Sequence, residues 1–255
     1  DEFVNIHVGA RRLPDLLAAL PEATAIPLTW RMFGNAGVVR YTDAPVAESF
    51  TRAAPAAIGW PWRAQLFKTL FRNDGSYRKL GVHRPRSPDP ARMDQQRWFD
   101  GAGRALPDSY RTGRIFADYT RDSYGLVQLN HYALGAMESY LLKCDRGRAN
   151  REASSFDMGY WVERNFSAVE DRSILSLPSA DLRSELHGDI VLGPLHRQAV
   201  AWRKGRIAEL LQAEPWRALL GRLLMTPASR TLTQQEAKSI FSYQIKGEAD
   251  DPSPR

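Results

Sequence analysis

Asp1-Glu2-Phe3-Val4-Asn5-Ile6-His7-Val8 opens the chain with polar and apolar residues in alternation, the pattern of a strand at a sheet edge. Pro14 then opens a short helix carrying Leu13, Leu16, Leu17 and Leu20 on one side, and Pro21 closes it. Residues 25–33 and 37–41 read as strands joined at Gly34-Asn35, a turn-prone pair. Residues 67–72 and 77–82 read as a further strand pair around Asn73-Asp74-Gly75, and 84–112, with several Pro, Arg and Gly, as an extended surface loop. A strand over 125–129 leads into a helix over 132–143.

The character of the chain changes after about residue 175. Apolar residues recur at helical spacing: Leu195, Ala199 and Trp202, then Ile207, Leu210 and Leu211. Pro215 starts another helix through Leu219, Leu220, Leu223 and Leu224, and Thr233 with Glu236 matches a capping box for a last short helix. The expected fold class is therefore α/β over 1–175, a helical extension over 176–246, and a disordered tail over 247–255.

Composition excludes several classes of function. The 255 residues suffice for one large domain or one domain with an appendage, and 43% apolar with 25% charged residues is ordinary for a globular chain. A single cysteine, Cys144, rules out an intrachain disulfide and a thiolate metal cluster; it follows an apolar run and reads as a half-buried, inert thiol. The net charge of +6 favours anionic partners, with much arginine in 63–121 and 143–164, but no run of Lys and Arg is long enough for a nucleic-acid tail. No apolar stretch approaches the roughly 20 residues that span a bilayer. The nucleophile-elbow, phosphate-loop and His-Glu-x-x-His signatures are missing as well.

The motifs that carry chemistry come in a fixed order. Asp1-Glu2-Phe3 is followed by Trp30-Arg31-x-Phe33-Gly34-x-x-Gly37, Glu48-Ser49-Phe50-Thr51, Lys68-Thr69-Leu70-Phe71-Arg72 and His83-Arg84-Pro85. Then come Asn130-His131-Tyr132, Glu138 with Lys143, Arg146-Gly147, Tyr160-Trp161, and Arg164-Asn165 with Asp171. In this order the chain resembles bacterial family 2 glycosyltransferases of the GT-A type, in the branch that carries Asp-x-Asp-Glu-Phe. The resemblance covers about residues 1–175, begins at the second Asp of that motif, and implies a donor-binding half upstream of Asp1.

The resemblance implies transfer of a sugar from a nucleotide-sugar donor to a glycan or lipid-linked acceptor, with inversion, in polysaccharide biosynthesis. Such a protein would work in the cytoplasm or at the inner membrane face, as a peripheral membrane protein, without nucleic acid. Its leaving group is a diphosphate, whose charge a hard divalent cation, Mn2+ or Mg2+, neutralises. By resemblance Asp1 is one ligand; His83 is the preferred histidine ligand and His131 the second. Imidazole suits manganese, although oxygen ligands dominate its preference. Lys68, Arg72, Lys143 and Arg146 would complement the diphosphate or an anionic acceptor. Trp30, Arg31, Asn130 and Tyr132 would face the acceptor, with Trp161 as a further apolar platform.

An inverting transfer needs a base for the acceptor hydroxyl, and Glu48 ranks above Glu138 for that role. Two other readings stay open: a catalytically incomplete binding or regulatory module lacking the donor half, and a basic nucleic-acid-binding protein.

Overall fold

The computed structural model describes residues 1–118, 120–147, 156–177 and 179–250, with side chains described as far as residue 243. In chain order the elements are β1 (Glu2–Ile6), α1 (Leu13–Ala19), β2 (Ala25–Met32), α2 (Val46–Ser49), β3 (Arg52–Ala53), β4 (Phe67–Phe71), β5 (Tyr77–Lys79), β6 (Arg86–Pro88) and α3 (Ser109–Thr112). These are followed by β7 (Val127–His131), α4 (Met137–Arg146), α5 (Met158–Val162), β8 (Val169–Glu170), α6 (Ala180–Gly188), α7 (Leu192–Leu210), α8 (Glu214–Met225) and α9 (Gln234–Asp250). A mixed four-stranded sheet runs in the order β1-β7-β2-β4, so the fold class is α/β with a helical second half. The chain divides into two discontinuous units, one of residues 1–16, 31–54 and 129–229, the other of residues 17–30, 55–128 and 230 onward.

In the second unit, β2 pairs antiparallel with β4, Ala25 opposite Phe71 and Thr29 opposite Phe67. The expected pairing of 67–72 with 77–82 is not formed. β5 instead pairs with β6, Tyr77 opposite Pro88, and β4 meets the chain after β5 through side chains: Thr69 donates to the His83 carbonyl and Lys68 to the Val82 carbonyl. Nor is 84–112 a surface loop. Trp98 and Tyr110 are buried against Phe67, Tyr77 and Ala117, and aromatic residues of this size dominate the area that a core can remove from water. Trp98 Nε1 donates to the Tyr77 hydroxyl, which donates to the Arg111 carbonyl. Arg84 is buried over the Trp98 ring with its Nη2 on the same carbonyl, and burial lowers its pKa.

In the first unit, the buried strand β7 is followed by Gly135, whose φ of 67° is a left-handed turn. The helix after it therefore begins later than the sequence pattern suggests, at Met137, and the strand itself begins at Val127. Residues 37–41, expected as a strand, form no ladder. The Val38 and Val39 carbonyls accept the amides of Met137 and Glu138, and the Glu138 carboxylate accepts the amide of Tyr41. This exchange satisfies orphan donors at the start of α4 in the manner of a capping box built from two segments.

Helix α4 has two working faces. Met137, Tyr140, Leu141 and Cys144 lie on the core side, with Trp161, Leu210 and Leu223 buried against them. Residues of α7 and α8 thus complete this core. The α7 stripe splits: Ile207 and Leu210 are buried, whereas Leu195 and Trp202 are exposed. The capping box of α9 forms, with Thr233 and Glu236 exchanging side-chain and amide bonds. That helix continues through Asp250, so residues 247–250 of the expected tail are helical; residues 251–255 lie outside the described residues.

A side chain at Gly34 would collide with the Phe166 carbonyl oxygen and Ser167, whereas one at Gly205, inside α7, would meet nothing. Gly34→Ala should destabilise the protein by about 1–3 kcal/mol, and Gly205→Ala should stabilise it by about 0.8–1 kcal/mol, both read from denaturant unfolding. Burial pushes the Cys144 thiol up to about 11. An unfolded thiol ionises near ~8.5, so between these values the unfolded chain binds fewer protons and stability falls as pH rises. The melting temperature should drop between pH 8 and pH 10, and Cys144→Ala should remove part of that drop. Cys144 should also resist alkylation at pH 8 until the protein is unfolded.

Candidate functional site

The end of β7 gathers the site in the first unit. The Tyr132 amide donates to the Asp1 carbonyl at 2.8 Å, and the Phe33 amide donates to the His131 carbonyl at 3.1 Å. Asp1 is thereby fixed beside His131. Among the described residues, Asp1, Glu2 and His131 form the group in which two carboxylates and an imidazole come together, with one ligand atom from each within 4.8 Å of the others. Asp1 is exposed, Glu2 half-buried and His131 buried. Ligands at about 2.0–2.2 Å from one ion stand within roughly 4.4 Å of each other, so the cluster suits a single cation after small side-chain adjustment.

Lys143 stands beside it. Its ammonium lies 3.6 Å from Asp1 Oδ2, donates to the Ala133 carbonyl at 2.6 Å and to the Tyr160 hydroxyl at 3.1 Å, and sits about 5 Å from the Phe156 and Tyr160 ring centres. Two hydrogen bonds, the neighbouring carboxylate and two aromatic faces together hold this charge largely out of water.

Asp1 and Lys143 line a cavity of about 710 Å³. The second face of α4 forms one wall, through Ser139, Leu142, Lys143 and Arg146 at the i, i+3, i+4, i+7 spacing of one helical stripe. Asp145 also lines it, held by two bonds from Arg206 at 2.9 and 2.7 Å that keep its carboxyl below the usual range. Arg40, Tyr41, Trp202 and Arg203 close the other side.

The candidate residues distribute unevenly over this geometry. Asp1, His131, Lys143, Arg146 and Tyr132 meet at or around the cavity. Tyr132 is buried against Phe33 and Phe3, its hydroxyl takes a bond from Asn130, and burial pushes it up to about 12, with the Asn130 bond opposing. Asn130 is fully buried and supports Tyr132 from below; Arg31 is half-buried in the same unit. His83, the preferred histidine, belongs to the other unit, where its Nδ1 lies 3.0 Å from the Phe67 carbonyl and its ring stands edge-on to Trp30. Trp30, Lys68 and Arg72 are in that unit too. Trp30 is buried, Lys68 is bonded to Val82, and Arg72 edges a small hollow beside Leu17 and Leu20.

Neither candidate base lines the Asp1 cavity. Glu48 pairs with Arg183 at 2.8 Å along a second cavity of about 770 Å³ in the first unit, while Glu138 is committed to the Tyr41 amide. Trp161 is fully buried beneath Tyr140 and is no sugar platform. The sequence reading missed Arg40, Tyr41, Ser139, Asp145, Trp202 and Arg203. The helical spacing of Ser139 and Arg146 around Lys143 was a usable signal for the first face; nothing local to Trp202 announces that α7 reaches this cavity.

Among the described residues no helix is long and apolar enough to cross a membrane. No family model, no curated protein and no solved structure matches this chain.

Proposed function

We propose that this chain is the acceptor-facing part of a metal-dependent glycosyltransferase of the GT-A type, moving a sugar from a nucleotide-sugar donor to a glycan or lipid-linked acceptor. The observation that carries this reading is the meeting of Asp1, Glu2 and His131 beside Lys143 at one cavity. The motifs that supply these residues are over 120 positions apart in sequence, and the resemblance names Asp1 and His131 among them. A bound Mn2+ or Mg2+ would supply charge neutralisation at the departing diphosphate.

The chain's own residues do the remaining work. Asp1 and Glu2 offer hard oxygen donors, and His131 a nitrogen donor on a buried strand whose position is fixed on both sides. The metal histidine is accordingly assigned to His131 in place of His83. Lys143, which neutralises Asp1 as it stands, is placed to exchange that carboxylate for a phosphate oxygen, and Arg146 lies one turn further along the same stripe. Asp145 also lines the cavity, at the Arg146 end of α4, where Arg206 holds it ionised and fixed; its lowered pKa makes it a weak base.

A second reading, a binding module without turnover, draws on a specific observation: Glu48 and Glu138 are both tied to other partners.

Mn2+ titration of the full-length protein tests the transferase reading. Asp1→Asn and His131→Ala should each weaken Mn2+ binding about tenfold or more, while His83→Ala leaves it unchanged. Lys143→Ala should lower the release of nucleoside diphosphate from a sugar-nucleotide panel by about 1.5–3 kcal/mol of transition-state stabilisation. Mn2+ affinity indifferent to both Asp1 and His131 would overturn the metal assignment. Metal binding without any diphosphate release would select the binding module.

A further inference from the structure

We infer that the acceptor is an anionic saccharide, held on Trp202 and Arg203 of α7; this rests on the transferase reading and gives its substrate class. Three observations from the first unit converge. Trp202 is 64% exposed, yet it lines the same cavity as Asp1 and Lys143. An indole left in water beside a polar cavity offers a flat apolar surface with a polar edge, which suits the C–H face of a sugar ring.

Arg203, its neighbour, points into the cavity wall in a fixed pose. Its guanidinium stacks on the Tyr41 ring at 4.4 Å, and its Nη2 donates to Ser139 Oγ at 3.2 Å. Its Nε is buried and finds no hydrogen-bond partner among the described residues. The platform is itself braced, because the Glu138 carboxylate holds the backbone amide of Tyr41.

The third observation is charge. Arg40, Arg146 and Arg203 all line the cavity and make no ion pair with the described residues, whereas its acids Asp1 and Asp145 are met by Lys143 and Arg206. Unmatched cations around a low-dielectric wall select an anionic ligand. The donor's diphosphate does not account for all of them. Arg203 is anchored at Ser139, one turn or about 6 Å before Lys143 along α4, and about 10 Å before Arg146. The attacking hydroxyl must approach from the side of the anomeric carbon opposite the diphosphate, so the Arg203 end of the stripe belongs to the acceptor.

The test is a calorimetric titration of the full-length protein without metal, using tetragalacturonate, a phosphorylated oligomannoside, neutral maltotetraose and a nucleoside diphosphate. At least one anionic oligosaccharide should bind about tenfold or more tightly than maltotetraose, and which of the two binds tighter decides between carboxylate and phosphate. Trp202→Ala and Arg203→Gln should each weaken that binding about tenfold, with Mn2+ affinity unchanged in both and the melting temperature unchanged in Trp202→Ala. Arg40→Gln should weaken it less, since that side chain is exposed and unbraced. The inference is overturned if the anionic sugars bind no better than the neutral one or do not bind at all. It is also overturned if Arg203→Gln weakens only the nucleoside diphosphate, which would give Arg203 to the donor. Failure of the transferase reading looks different: no His131-dependent Mn2+ binding and no diphosphate release, whatever the oligosaccharides do.

Discussion

The exchange of backbone and carboxylate hydrogen bonds between residues 38–41 and the first turn of α4 is the constraint on which the first unit depends. A helix of ten residues is too short to hold itself in water, so its direction must come from its ends and its packing. Here the Val38 and Val39 carbonyls take the first two amides, and the Glu138 side chain returns a bond to Tyr41. With its start fixed, α4 can turn Tyr140 and Leu141 into the core and present Ser139, Lys143 and Arg146 to the cavity without ambiguity. Losing the cap would shift both faces together, because they are rows of one rigid element.

The same exchange accounts for a fate that composition alone would not assign to Glu138. A carboxylate near the start of a helix interacts favourably with the partial positive charge there, and this one also has a geometric task. Glu48 meets a comparable demand through Arg183 of α6. Both acids were plausible bases by position in the motif order. Both turn out to be engaged in joining segments that are distant in sequence, and such partnerships are set by the tertiary fold rather than by local pattern.

What was legible in the sequence follows from the range of the interactions involved. The strand β1, the apolar run of β2, the helix opened by Pro215 and the Thr233–Glu236 box are local signals, and each formed where it was expected, although in β1 Asn5 and Ile6 are buried while Phe3 and Val4 are exposed. The partner of β4 was not legible, because a strand carries its own periodicity but no label for its neighbour. Residues 84–112 were misjudged for a related reason: Pro, Gly and Arg suggested solvent, while Trp98 and Tyr110 supplied the anchor and buried the segment. In the site, the order of motifs brought out Asp1, His131, Lys143 and Arg146. His83, Lys68 and Arg72, which the same order names, lie in the other unit beside strand β4 and Trp30.

The most consequential residue that no pattern disclosed is Arg206. It clamps Asp145 and also pairs with Glu209 one turn along α7, so α7 is fastened to the C-terminal half of α4 by a bidentate ion pair. Arg203 fastens it again at Ser139, in the first turn of α4. Two arginines three residues apart thus run down one side of α7 and meet two positions of α4 six residues apart, a match that only neighbouring helices can make. The first contact saturates its acid; the second leaves Arg203 Nε buried without a hydrogen-bond partner among the described residues. Helix α7 thereby enters the core beneath α4 through Leu210 and the wall of the cavity through Trp202 and Arg203, so the helical second half is, through α7, packed into the first unit.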